Sequence, residues 1–117
     1  MGPRTDEIKK SKASLIWPEE KQKQDVRGIN TLADSECPVS IGVLELALLG
    51  LTVRLTTCQY SKENLRAMVT SLTALNNVLQ QQKSPLTDTV TSLIGKVQRI
   101  IKLGYEHPIK QGKKATR

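Results

Sequence analysis

Apolar positions cluster between Val39 and Leu103, and most of them recur at helical spacing. Leu65, Met68, Leu72, Leu75 and Leu79 step by three and four, with Val69 and Val78 widening the stripe. That period lays one apolar face along a helix, and Ser61 stands where a hydroxyl caps its first turn. Leu86, Val90, Leu93, Val97 and Ile100 repeat the pattern, with Ile94 and Ile101 alongside. Ser84-Pro85 supplies a cap and a first-turn proline for this last helix. Gly104 after Leu103 predicts a left-handed stop, and Lys102 suits the negative end.

The middle of the chain is different. Val39, Ile41, Val43, Leu44, Leu46, Leu48, Leu49 and Leu51 leave almost no polar face. A helix apolar all round is one enclosed by its neighbours, and that is the expectation here. Asp34-Ser35-Glu36-Cys37 reads as the break before it, and Pro38 as the residue that opens it. Leu51 to Leu55 alternate as a half-buried strand would, but no second alternating segment exists to pair with them. Helix is therefore kept. Upstream, Val26, Ile29 and Leu32 lay a thin stripe on a first helix begun by Pro18, with Glu19 and Glu20 near its positive end. Gly28 in its middle costs up to about 1 kcal/mol against Ala. Each striped face needs the others for burial, so the predicted fold is all-α, a compact bundle of about four helices. Residues 18–104 form that domain, 1–17 a flexible leader and 105–117 a basic flexible tail.

Composition changes the picture in two places. Net charge is +7, from 18 Lys+Arg against 11 Asp+Glu in 117 residues. Residues 34–103 carry seven basic against five acidic side chains, hence +2, while residues 104–117 carry four against one, hence +3. The charge is thus densest in the tail, where Lys113 and Lys114 join Lys96, Arg99 and Lys102 of the last helix as candidate phosphate contacts. The rival reading is a solvated polar face. Trp17, Tyr60 and Tyr105 are the whole aromatic complement, which leaves no platform for stacking bases.

Catalysis is poorly provisioned. The single His107 has no ligand-spaced partner, no Gly-x-Ser-x-Gly elbow or glycine-rich phosphate loop occurs, and Glu45 lacks a companion acid. Glu45 either reaches the surface or pairs across the bundle. The expectation is no enzyme, no metal and no cofactor. Cys37 and Cys58 lack redox or zinc spacing and read as reduced, largely buried thiols of an intracellular protein. The apolar run holds Glu45 and Arg54 and falls short of the roughly 20 residues a membrane span needs. No membrane role is expected.

Three stretches carry a family resemblance. Met68-Val69-Thr70-Ser71-Leu72-Thr73-Ala74-Leu75-Asn76-Asn77-Val78, Leu93-Ile94-Gly95-Lys96-Val97-Gln98-Arg99-Ile100-Ile101, and Val39 through Val53 resemble helices of the integrase-binding domain of the lens epithelium-derived growth factor (LEDGF) family. That module is a right-handed bundle akin to the TFIIS N-terminal domain. The resemblance spans residues 26–103 and rests mostly on apolar positions. It implies a nuclear, chromatin- or transcription-associated adaptor that clasps disordered, partly acidic motifs with an aromatic anchor in a notch between two interhelical loops. Carried over, the loop acid is Asp34 or Ser35, and the wall is Val78 and Leu79, extended to Leu86, with Asn77 beside it. The family's paired arginines and Phe are replaced by Asn76, Asn77 and Val78, which points to a different peptide ligand. The expected function is docking of linear motifs; the alternatives are electrostatic nucleic-acid binding through the basic tail and self-association of the bundle.

Overall fold

The computed structural model describes residues 15–34 and 36–116, with side chains to Leu103. Four helices follow in order: α1 (Glu19–Leu32), α2 (Ile41–Thr57), α3 (Lys62–Gln81) and α4 (Thr87–Thr116). The all-α bundle is the fold observed. Among the described residues the sole strand-like feature is one parallel bridge between Ile16 and Gln59, which draws the segment before α1 against the α2–α3 link.

α3 is the central helix, with α4 and α1 packed along it and α2 attached more lightly. Its stripe of Leu65, Met68, Leu72, Leu75 and Leu79 is buried, facing a core that includes Leu86, Val90, Leu93 and Val97 of the last helix and its approach. Asn76 Nδ2 donates to Thr91 Oγ1 at 3.0 Å, which fixes the antiparallel α3–α4 hairpin. Gln22 of α1 meets Ser61 and Asn64 at the start of α3, so α1 and α3 run the same way. Asp25 with Arg54 at one end, and Leu32 with Leu46 near the other, make α1 and α2 antiparallel. The α1–α2 and α3–α4 loops therefore lie at the same end of the bundle.

The helix ends follow local chemistry. Ser61 Oγ accepts from Asn64 N at 3.2 Å, the expected cap. α2 does not open at Pro38: Ser40 is its N-cap, accepting from Val43 N at 3.3 Å. A hydroxyl that satisfies an orphan N–H outweighs the fixed φ of a proline two residues upstream. α3 ends in a motif that the sequence reading did not contain. Lys83 adopts φ 56°, Ser84 N donates to Leu79 O at 2.9 Å and Lys83 N to Gln80 O at 3.0 Å. These are the paired bonds of a Schellman stop, formed without the usual glycine. The stop predicted at Gly104 does not form, because α4 continues to Thr116. An interior glycine costs only about 1 kcal/mol and does not end a helix by itself. The flexible tail assigned to residues 105–117 lies outside the described side chains, as does most of the leader at 1–17.

Two larger corrections concern what is inside and outside. α2 is not enclosed. Leu44, Leu48, Leu51 and Leu55 line its buried side, while Ile41, Val43, Leu46, Leu49 and Val53 are exposed. In a small four-helix bundle each helix has a solvent side, and α2 keeps apolar residues there. Cys37 is exposed in the α1–α2 loop, whereas Cys58 is half-buried, and both are free thiols. Glu45 reaches the surface.

Candidate functional site

A groove of about 410 Å³ runs between α1 and α2. Gly28, Ile29 and Leu32 line it from α1, and Leu46, Gly50 and Leu51 from α2. Its existence follows from two missing side chains. A Cβ built on Gly28 would meet nothing within 4 Å, and one on Gly50 would meet only Arg54 Nη1, at 3.3 Å. Neither glycine contributes a side chain to the space it lines.

The polar end of the groove is a three-residue network joining three elements. Arg54 Nε donates to Asp25 Oδ2 at 3.1 Å, and Arg54 Nη2 lies 3.1 Å from Asp25 Oδ1, a two-point ion pair from α2 to α1. Tyr60, on the link to α3, donates its hydroxyl to Asp25 Oδ2 at 2.6 Å. The Asp25 side chain is 14% exposed and that of Arg54 32%. Burial and the hydrogen bond to the Asp25 carboxylate push the Tyr60 phenol well above its ordinary pKa. Burial alone would weaken the Arg54 cation, but the Asp25 charge together with the hydrogen bonds to Asp25 and Tyr60 more than offsets it, and its pKa is raised. Asp25 is thus committed as an acceptor and Tyr60 held neutral. The arrangement positions donors and apolar surface; it offers no activated nucleophile.

A second polar joint lies beside it. Gln22 is 1% exposed; its Oε1 accepts from Ser61 N at 2.9 Å and from Asn64 Nδ2 at 2.7 Å, while its Nε2 donates to the Trp17 carbonyl. It takes a core position on α1 one turn before Asp25, and both are residues that a search for apolar stripes passes over.

The residues proposed from sequence divide into three groups. Leu79 and Leu86 are buried in the core and close the loop end of the bundle. Asn77 is exposed and Val78 half-buried, so these two present the accessible surface of that end. Asn76 is turned against Thr91. Asp34 is exposed, and its Oδ1 accepts from Glu36 N at 3.0 Å within its own loop. Ser35 lies outside the described residues. On α4, Arg99 and Lys102 are exposed and Lys96 half-buried; the side chains of Lys113 and Lys114 lie outside the described set. Among the described residues no cluster of His, Cys, Asp and Glu could hold a metal ion, and no helix is long and apolar enough to cross a membrane.

Comparison with protein-family models, curated proteins and solved structures finds no match to this chain. Function has to be argued from the groove and from the surfaces around it. The groove residues went unrecognised in the sequence because Gly28 read as a helix defect and Arg54 as a break in an apolar run. Their signal was there: two glycines at mid-helix, on helices joined by a short loop, with an acid and an arginine one turn away.

Proposed function

We propose that this protein is a non-enzymatic interaction module, an adaptor that docks a short linear motif of a disordered partner in the α1–α2 groove. The observation that carries the reading is the groove itself, an apolar trough hollowed by Gly28 and Gly50 with Arg54 at its wall. Its volume of about 410 Å³ falls within the range of roughly 300–1,000 Å³ typical of ligand sites. One aromatic side chain and an aliphatic neighbour fill such a space. Trp17 and Tyr60 are already packed on the bundle's own core, so the aromatic anchor comes from the partner. Acidic flanks on the motif suit a chain of net charge +7. The resemblance of residues 39–53, 68–78 and 93–101 to the LEDGF family agrees with a nuclear, chromatin-associated adaptor, and it makes the loop end at Asp34, Asn77 and Val78 the competing dock.

Titration calorimetry with acidic peptides bearing one aromatic residue tests this. Gly28→Leu, at a position where an added Cβ meets nothing within 4 Å, puts a side chain into the groove and should weaken binding at least tenfold, while Val78→Asp and Asp34→Lys leave it unchanged. The reverse pattern moves the dock to the loop end, and no binding by any such peptide refutes the reading. Exposure of Arg99 and Lys102 favours one further function, nucleic-acid binding. It requires duplex affinity that falls steeply with salt and is lost on deleting residues 105–117.

A further inference from the structure

The solvent side of α2 carries a continuous uncharged stripe. Gly42, Leu46, Leu49 and Val53 succeed one another at steps of four, three and four, and so lie in one line on the side opposite Leu44, Leu48, Leu51 and Leu55. Leu46 is 71% exposed, Leu49 60%, Val43 54% and Val53 51%. Single exposed apolar residues are ordinary; a line of them along one helix is an interface signature. We propose that this stripe is the contact face of a reversible two-fold dimer, in which α2 of one protomer packs antiparallel on α2 of a second copy.

Three observations choose a second copy as the occupant. First, the terminal segments are poor in apolar residues: residues 1–14 hold Met1, Ile8 and Ala13, and residues 104–117 hold Tyr105, Ile109 and Ala115, of which only Tyr105 and Ile109 stand one helical turn apart. Second, the stripe is complementary to itself. With the two-fold axis midway between Leu46 and Leu49, each Leu46 faces the other copy's Leu49, and each Val53 faces the other copy's Gly42. A Cβ on Gly42 would meet nothing within 4 Å, so that position is open to receive a branched side chain. No charged residue lies in the line itself; Glu45, one turn before Leu49, is exposed at its edge and stays in water when two stripes meet. Third, the area suffices. Leu46, Leu49 and Val53, with Val43 beside the line, present roughly 450 Å² per protomer, so two copies with their flanks bury about 1,000 Å², the lower bound for a specific interface. An interface at that lower bound suits a weak, reversible association.

Sedimentation equilibrium from about 10 µM to about 500 µM reads the outcome directly. The wild-type weight-average mass should climb from 13.0 kDa toward twice that value. Leu49→Glu, on the exposed line and outside the groove, should stay at monomer mass with unchanged helicity and unchanged peptide binding; Leu46→Lys should also stay monomeric, but Leu46 lines the groove as well, so Leu49→Glu alone separates the two sites. An equimolar mixture of the two variants should recover dimer, because the antiparallel register sets Glu at 49 against Lys at 46. A wild-type mass that stays at 13.0 kDa throughout overturns the dimer, as does undiminished association of Leu49→Glu. A mixture that remains monomeric overturns the antiparallel register. Peptide binding in the groove is read separately, so either proposal can fail alone.

Discussion

Removing the Asp25 carboxylate tests whether the polar network closes the bundle at the α2–α3 link. Asp25→Ala leaves the Arg54 guanidinium without its two-point partner and the Tyr60 hydroxyl without its acceptor. Breaking a fully buried pair costs about 3–5 kcal/mol, and a hydrogen bond to a charged group contributes about 1.5–3 kcal/mol. Arg54 is about a third exposed, so water recovers part of its solvation and the expected loss falls to about 2 kcal/mol. For a domain of this size that lowers Tm by roughly 10 °C. Arg54→Met, which keeps the apolar stem, should cost about 1–2 kcal/mol. The double variant should cost less than the sum, with a coupling of about 1 kcal/mol. Urea titrations followed by circular dichroism give all three values, and Glu20→Ala serves as control. Glu20 faces Arg27 at 3.7 Å with both side chains mostly exposed, and its loss should stay within about 0.5 kcal/mol. If Asp25→Ala costs no more than that control, or the coupling is under about 0.3 kcal/mol, the network does not hold the helices together.

Other outcomes follow from the same coordinates. Tyr60 is held neutral in the fold, so above pH about 10 the unfolded chain ionises first and stability falls as pH rises. The stability gap between wild type and Tyr60→Phe should therefore be full near neutrality and shrink above that pH; a constant gap refutes the assignment. Gln22→Ala strands the Ser61 N–H and leaves Asn64 Nδ2 only its bond to Glu19 Oε2, and should cost about 2 kcal/mol in urea titration, with Gln22→Leu costing nearly as much because the Ser61 N–H stays unpaired. Lys83→Gly relieves a left-handed residue at the end of α3 and should raise stability by about 0.5–1 kcal/mol, against no gain for Lys83→Ala.

The contrast between α3 and α1 explains what could be read from the chain. Leu65, Met68, Leu72, Leu75 and Leu79 are apolar at helical spacing and every one is buried, because a helix with one apolar face has one way to bury it. On α1, by contrast, Gln22 and Asp25 take core-side positions beside Ile29. Their burial depends on Ser61, Asn64, Arg54 and Tyr60, which are 29 to 42 residues away along the chain. No local period encodes such pairing. α2 fails for the opposite reason: when every face is apolar, the pattern does not say which face meets this chain and which meets another. The exposed stripe became visible only once Leu44, Leu48, Leu51 and Leu55 were seen to line the inner side. At the loop end, Leu79 and Leu86 were named for a notch by analogy, and packing takes them into the core. The Schellman stop at Lys83 escaped notice because its signal is normally a glycine.

Arg54 links the stability of the bundle to what the groove can recognise. Its Nε and Nη2 are engaged by Asp25, while Nη1 stands 3.3 Å from the point where a Cβ of residue 50 would sit, at the groove wall. A guanidinium has five donors in a rigid fork, so one edge can hold the structural pair while another faces a ligand carboxylate. An acidic motif entering the groove need not break the Asp25 pair to reach the cation, and it meets a cation already partly desolvated and fixed in direction. Lysine at this position would have to choose, because its single ammonium cannot span both sites. Gly50 is part of the same arrangement: any larger residue would press on Nη1 and narrow the trough in one step. The residue that closes one end of the bundle is thus also the polar point against which an apolar anchor would be oriented.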